Sequence, residues 1–182
     1  MTNQKSHTYA FLGYTLDLDT GEIHDLLTHN GSLERNDAAV LNVLLSHYSA
    51  ANPTPRTGRL VKFKDLPGGH AYEQAFFQRA VQSVAQAFGA KPTELVEAAE
   101  LLKGTRQGYG DSAAEVPALV GIPIVFIVWA AGEFPASATV LYDESASSYL
   151  PTEDLAVLGE LAAGRLRKAQ SQLSREKANT LG

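Results

Sequence analysis

Cysteine is absent from this chain of 182 residues. The chain therefore forms no disulfide and supplies no thiolate for catalysis, for zinc or for an iron–sulfur cluster. A membrane-spanning hydrophobic run is absent as well, since the longest one, residues 122–131, is about half of the ~20 residues that a transmembrane helix needs. The N-terminal segment MTNQKSHTY lacks the apolar centre of a secretory signal. We therefore expect a soluble, cytoplasmic protein that does not bind a membrane.

Basic side chains are fewer than acidic ones. The chain has 15 basic and 20 acidic side chains, which gives a formal net charge of −5. A protein with this balance is not expected to bind nucleic acid or anionic lipid through general electrostatic attraction. A late cluster of basic side chains, from Arg165 to Lys177, falls on a predicted terminal helix whose C-terminal end favours cations. This cluster is more typical of a solvated helix end than of a nucleic-acid site.

Two common catalytic motifs are also missing. The sequence has no G-x-S-x-G serine elbow, and its glycine pair, Gly68-Gly69, lacks the lysine and spacing of a phosphate-binding P-loop. The backbone N–H groups of this pair could still hold a phosphate or carboxylate, with Arg79 later on the same predicted helix. A tight turn that requires positive φ explains the two glycines equally well.

The pattern of apolar residues predicts an α+β fold. In chain order it predicts strands over 12–18 and 23–27, a helix capped by Asn36, a strand over 60–66, helices opened by Gly68-Gly69 and by Pro92, strands over 122–130 and 136–143, and a helix capped by Thr152. Residues 104–117 are predicted to form a glycine-rich loop. This order indicates one domain over residues 1–182, with helices packed against a largely antiparallel sheet. The polar residues 171–182 are predicted to fray.

Three acidic side chains lie at the ends of apolar segments. They are Asp111, Glu133 and Asp143. Together with His70 and Tyr72 they could form one polar cluster at one edge of the sheet, because loops at strand ends gather side chains into clefts. A carboxylate in such a cluster could act as an acid, a base or a metal ligand. The alternatives are a solvated hairpin tip for Glu133 and turn or capping roles for Asp111 and Asp143.

Several short motifs, taken together and in order, resemble an uncharacterised bacterial and archaeal domain-of-unknown-function family. They are LPGG (66–69), GD (110–111), Trp129, EFP (133–135), Asp143 and YLP (149–151), and the resemblance covers about residues 40–165. The chain departs from the family pattern in having only Gly132-Glu133 before the Phe, and Lys103-Gly104 in place of a glycine pair. Some relatives carry an iron–sulfur motif beside this domain. The resemblance therefore implies work near redox or cofactor proteins, and it implies no particular reaction.

Three functions are compatible with these residues. The leading hypothesis is that a small molecule, a cofactor or a metal binds at an acidic and aromatic pocket. Its polar groups would be Glu133, Asp111 and Asp143, its walls Trp129, Tyr109 and Phe134, and its backbone contact Gly68-Gly69. The first alternative is a protein-interaction module that recognises a redox or metabolic protein through an exposed apolar patch, with Phe134 and Tyr149 in the patch. The second is a hydrolase that uses carboxylate-bound magnesium or manganese.

Overall fold

Helices and strands are interspersed along residues 7–180, the part of the chain that the computed structural model describes. The strands are β1 (Thr8–Phe11), β2 (Tyr14–Asp17), β3 (Ile23–Asp25), β4 (Leu60–Lys62), β5 (Thr105–Gln107), β6 (Ser112–Leu119), β7 (Ile122–Trp129) and β8 (Ser137–Asp143). The α-helices are α1 (Arg35–Ser49), α2 (Glu73–Phe76), α3 (Gln82–Phe88), α4 (Thr93–Leu101) and α5 (Thr152–Thr180). A π turn, Phe77–Val81, joins α2 to α3. The protein is a single α+β domain, as the sequence predicts.

The strongly apolar strand β7 lies at the centre of the larger sheet. This sheet is antiparallel and has the order β4-β8-β7-β6-β5, while β1, β2 and β3 form a smaller antiparallel sheet. Both faces of β7 are covered, since Phe126 is buried under the helices and Val125 and Ile127 are buried on the opposite face. The predicted hairpin of β7 and β8 is confirmed, with Trp129 opposite Ser137.

The helices pack on one face of the larger sheet. Phe88 of α3, Leu95 of α4 and Leu166 of α5 are fully buried in the same hydrophobic core. The chain of α5 passes close to the sheet at Gly159, where a Cβ atom would collide with the Tyr142 hydroxyl and the Phe76 ring. The absence of a side chain at this position therefore allows the tight packing of α5. Among residues 7–180, no helix combines the length and apolar character needed to cross a bilayer.

A buried ion pair attaches the smaller sheet to α5. Both terminal nitrogens of Arg165 donate to the Asp25 carboxylate, at 2.9 and 2.6 Å, and its Nε donates to the Leu12 carbonyl at 2.8 Å. The guanidinium also lies 3.9 Å from the centre of the Tyr14 ring, a cation–π contact. The prediction that this part of the basic cluster is solvated is wrong for Arg165. Its side chain is buried, because Asp25 of β3 supplies a counter-ion that compensates its charge.

Several boundaries differ from those predicted. The first strand was predicted over residues 12–18, but β1 lies earlier in the chain. Leu12 and Gly13 form the turn between β1 and β2, and only the later part of the predicted strand corresponds to β2. The predicted loop at 104–117 contains β5 and most of β6. The predicted strand over 60–66 ends at Lys62, where the chain enters a 3-10 helix. Asn36 lies inside α1, whose N-cap position is Glu34.

Helix α5 extends well past Ser171, where the polar sequence predicted fraying. It continues to Thr180. Its second half is attached to α4, because Lys177 lies 2.6 Å from the Glu97 carboxylate and the Gln170 amide donates to Glu94 at 2.7 Å. Polar contacts with α4 therefore hold this polar part of α5 against the domain. Residues 181–182, the end of the segment predicted to fray, lie outside the described residues.

Candidate functional site

The three acidic residues singled out from the sequence do not form one cluster, although Asp111 and Glu133 line the same surface depression. Asp143 ends β8, whereas Glu133 precedes the start of this strand at Ser137. A strand of seven residues is about 20 Å long. The single acidic cluster expected from the sequence therefore does not form, since Asp143 lies at the opposite end of β8 from Glu133.

Asp143 is a buried structural carboxylate. Its oxygens accept hydrogen bonds from the backbone N–H groups of Thr57 (3.0 Å), Gly58 (2.8 Å) and Ser145 (3.0 Å), and from the hydroxyls of Thr57 (3.2 Å) and Ser145 (2.6 Å). Burial by itself would raise the pKa of Asp143, but these hydrogen bonds outweigh burial and hold the pKa well below its usual range. Asp143 fixes the segment before β4 against the end of β8, which agrees with the capping role considered for it.

Asp111 closes the turn that leads into β6. Its carboxylate accepts from the backbone N–H of Ala130 at 2.7 Å, and its own N–H donates to the Val128 carbonyl at 3.0 Å. The preceding Gly110 has φ of +56°, and a Cβ atom there would lie 2.7 Å from the Ile127 side chain. The GD motif is thus explained by a loop that must pass closely over the end of β7.

Glu133 is the exposed tip of the β7–β8 hairpin. The turn is closed by the Gly132 N–H, which donates to the Phe134 carbonyl at 2.9 Å. The Glu133 side chain makes no hydrogen bond or ion pair with any residue between 7 and 180. It is therefore a solvated carboxylate that a binding partner can reach.

Three large aromatic side chains are exposed at this same end of the sheet. The exposed fraction is 78% for Phe134, 48% for Tyr109 and 39% for Trp129. Gly110 brings the loop that carries Tyr109 alongside the Trp129 ring, because a Cβ atom at Gly110 would lie 3.3 Å from that ring. We call Tyr109, Trp129, Glu133 and Phe134 the aromatic tip. Around it the surface forms an open depression that Asp111, Pro135 and Ser137 also line.

Tyr149 does not belong to the aromatic tip. Its hydroxyl donates to the Thr54 carbonyl at 2.6 Å and accepts from the Thr54 N–H at 3.1 Å. Its ring stacks on Tyr48, with the ring centres 6.0 Å apart. These contacts tie the start of α5 to the segment after α1, so the role of Tyr149 is structural.

The glycine pair lies in a different part of the molecule, against the start of α5. Gly68 has φ of +77°, and a Cβ atom on the buried Gly69 would collide with the Phe63 carbonyl. The Thr152 hydroxyl donates to the Pro67 carbonyl, and a second contact joins the two segments where the Tyr72 hydroxyl donates to Glu153 at 2.8 Å. The LPGG and YLP motifs thus pack together, and the turn itself accounts for both glycines.

His70 and Arg79 are separated from the acids considered above. His70 is exposed, 3.7 Å from Glu73, and Arg79 lies in the π turn, 3.7 Å from Glu160 of α5. Within residues 7–180, no group of three histidine, aspartate or glutamate side chains is arranged to hold a metal ion.

A second cleft, of about 230 Å³, lies beside β8 and was not predicted. It is lined by Lys62 and Lys64, by Phe77 of the π turn, and by residues 138–140 of β8. Helical periodicity places Phe77 in the core with Val84 and Phe88, yet its side chain is 52% exposed. The wider π turn changes the direction in which Phe77 points, and no pattern of 3.6 residues can anticipate such a change.

Residues 2–165 match the family model described as Domain of unknown function (DUF3786). The chain belongs to this family. The match includes every candidate residue discussed above, from Gly68 to Asp143, and it ends within α5 of this DUF3786 domain. No curated protein and no solved structure matches the chain.

Proposed function

We propose that this DUF3786 domain is a protein-interaction module and that the aromatic tip is its docking surface. The observation that carries the proposal is the exposure of Tyr109, Trp129 and Phe134 at one end of the sheet. Large exposed aromatic side chains leave apolar surface in contact with water, and their association with a partner is favourable because it removes this surface. Aromatic residues also contribute a large share of the binding energy at protein interfaces.

The backbone around the tip supports this role because it is fixed before any partner binds. The Ala130 N–H donates to the Asp111 carboxylate and so joins the end of β7 to the turn before β6. The Gly132 N–H donates to the Phe134 carbonyl and closes the hairpin loop. Trp129 lies on β7 itself, opposite Ser137 of β8. A surface of this kind loses little conformational entropy on binding, so more of the contact energy appears as affinity.

The chemistry of the tip indicates the kind of partner. Phe134 projects from the turn beside Glu133, a carboxylate without a counter-ion among the described residues. The complementary surface is an apolar pocket with lysine or arginine on its rim, because such charges align the two surfaces. The family resemblance suggests a redox or metabolic protein, and any cysteine-ligated cluster would belong to that partner.

The alternative functions have less support. A small-molecule site usually encloses most of its ligand, whereas the depression at the tip is open. Asp143, which the hydrolase hypothesis needs as a metal ligand, lies at the opposite end of β8 from Glu133 and already accepts five hydrogen bonds. These features favour a flat contact with a protein over an enclosed ligand.

The test is capture of binding proteins from native lysate with the full chain and with two variants, followed by quantitative mass spectrometry. Phe134→Ala removes the most exposed ring of the tip. Val120→Ala is the matched control, since Val120 is 63% exposed and lies in the turn at the opposite end of β7. A central aromatic contact contributes 2 kcal/mol or more, so we expect about thirtyfold weaker binding of a specific protein by Phe134→Ala alone.

Purified partner then replaces lysate in a calorimetric titration of the same three proteins. Equal binding of every captured protein by Phe134→Ala and by the unmodified chain would contradict the proposal. Loss of binding in Val120→Ala as well as in Phe134→Ala would also contradict it, because the tip would then have no special role.

A further inference from the structure

Strand β8 has a free edge beside the second cleft. Strand β4 pairs with β8 only through residues 141–143, so residues 137–140 have no strand partner on that side among the described residues. Strand β4 stops because the chain turns into a 3-10 helix at Phe63, whose buried ring stacks on Phe76 with the ring centres 4.3 Å apart. An unpaired strand edge is a template for the addition of another strand.

The direction of the backbone in β8 determines which groups this edge presents. The Glu144 N–H donates to the Arg59 carbonyl at 2.9 Å, so the main-chain N–H group of Glu144 points towards the side of β8 on which β4 lies. Main-chain groups along an antiparallel strand point to the two sides alternately. The N–H and C=O groups of Ala138 therefore point to the same side as those of Glu144, into the cleft.

The two faces of the sheet beside this edge carry different side chains, apolar on the helical face and basic on the opposite face. Ala138 packs against the helical core, so a residue added beside it would lie on the face that leads to Phe77 and Val81. Lys62 pairs with Leu141 in the register and shares the opposite face of the sheet with Thr139. Lys62 forms no ion pair with a described residue, whereas Lys64 lies 3.8 Å from Glu73. An acidic side chain opposite Thr139 would therefore meet an available positive charge.

We infer that this cleft binds an extended segment of a partner protein, which adds as a strand to the free edge of β8. The segment has alternating apolar and acidic side chains, with apolar side chains directed to Phe77 and Val81 and a carboxylate directed to Lys62. The π turn is consistent with a binding role, since such turns concentrate at functional sites. The inference goes beyond the proposed function, because the cleft and the aromatic tip are separate surfaces that share only β8.

The test uses phage-displayed random linear peptides selected on the full chain and then measured on variants. Ala138→Pro removes a single main-chain donor that points into the cleft, and it leaves the ladder with β7 intact because alternate residues make that ladder. Ala138→Ser is its matched control, since it retains the N–H group. Lys62→Glu reverses the charge at the cleft, and Arg167→Glu makes the same change on an exposed part of α5.

We expect selected peptides that alternate apolar and acidic residues and that bind Ala138→Pro and Lys62→Glu about tenfold more weakly or worse. Their binding to Ala138→Ser, Arg167→Glu and Phe134→Ala should equal binding to the unmodified chain. The circular dichroism spectrum of each variant establishes that it is folded. Selection of no peptide, or equal binding by Ala138→Pro and Ala138→Ser, would overturn the inference. Loss of binding in Phe134→Ala alone would place the peptides at the aromatic tip and would overturn it too.

Discussion

Replacing Asp25 by alanine removes the acceptor at the centre of a buried ion-pair network. The Asp25 carboxylate accepts from Arg165, from the Lys168 ammonium at 2.8 Å and from the Leu27 N–H at 2.9 Å. In Asp25→Ala the guanidinium of Arg165 stays buried with only the carbonyls of Leu12 and Gly13 as acceptors. Removing one partner of a buried ion pair costs about 3–5 kcal/mol, because the other charge is left uncompensated.

The expected loss of stability is large enough to measure by thermal unfolding. A loss of about 3–5 kcal/mol corresponds to a fall in Tm of roughly 6–20 °C for a domain of this size. The transition should be followed by far-ultraviolet circular dichroism and not by tryptophan fluorescence. The only tryptophan, Trp129, lies at the aromatic tip, so its fluorescence reports on that region alone. Glu22→Ala is the matched control, because it removes an exposed carboxylate from the same part of the chain and should change stability by less than about 0.5 kcal/mol.

The dependence on pH provides a second check. Burial raises the pKa of Asp25, but hydrogen bonds from Arg165 and Lys168 outweigh it and lower the pKa from 3.8 to about 2. Because the pKa of Asp25 is lower in the folded chain, this carboxylate stabilises the fold at pH values above its pKa in the unfolded chain. The contribution of about 2 kcal/mol is lost as the pH falls from about 4 to about 2. The difference in stability between the unmodified chain and Asp25→Ala should therefore narrow over this interval.

A double variant distinguishes the effect of an uncompensated charge from a general disruption of the core. Replacing both partners of a buried pair with apolar residues is often neutral or stabilising. We therefore expect Asp25→Leu combined with Arg165→Met to regain much of the stability that Asp25→Ala loses. A change of less than about 1 kcal/mol in Asp25→Ala at neutral pH would refute the reasoning, because the guanidinium would then not need its counter-ion.

Three further substitutions test other parts of the structure. Asp143→Ala should lower the free energy of unfolding in urea by about 1–3 kcal/mol, because it leaves buried backbone N–H groups without an acceptor. Gly159→Ala should lower the same quantity by about 1–3 kcal/mol, because its Cβ atom collides with the Tyr142 hydroxyl. Phe134→Ala should change the free energy of unfolding in urea by less than about 0.5 kcal/mol, since its ring is mostly exposed. A strong destabilisation by Phe134→Ala, or none by the other two, would contradict these assignments.

The parts of the fold that the sequence predicts well are those with strong local patterns. Strand β7 has apolar residues on both faces, and β8 follows it after a short turn, so both strands and their hairpin are recognisable. Strand β6 has small residues such as Ala113 and Ala114, whose burial depends on what packs against them. Such residues give a weak local pattern, which is why the segment was predicted to be a loop.

The features that the sequence does not predict depend on contacts between distant residues or on irregular backbone, whereas part of the candidate site is local. Arg165 is buried because Asp25, 140 residues away, lies against it, and local helical patterns contain no record of that contact. The exposed position of Phe134 follows from the turn between β7 and β8 and was predicted for one of the functions considered. The exposure of Phe77 and the free edge of β8 depend instead on a π turn and on the early end of β4, and neither has a periodic signature.

Site-specific photocrosslinking from position 134 tests the central proposal most directly. The chain is produced in living cells with Phe134→p-benzoylphenylalanine and, as control, with Val120→p-benzoylphenylalanine, and both samples are irradiated before lysis. If the aromatic tip is the docking surface, position 134 will crosslink to a discrete protein and position 120 will not. No crosslink from position 134, or the same products from both positions, would contradict the proposal that this domain binds a partner protein through the aromatic tip.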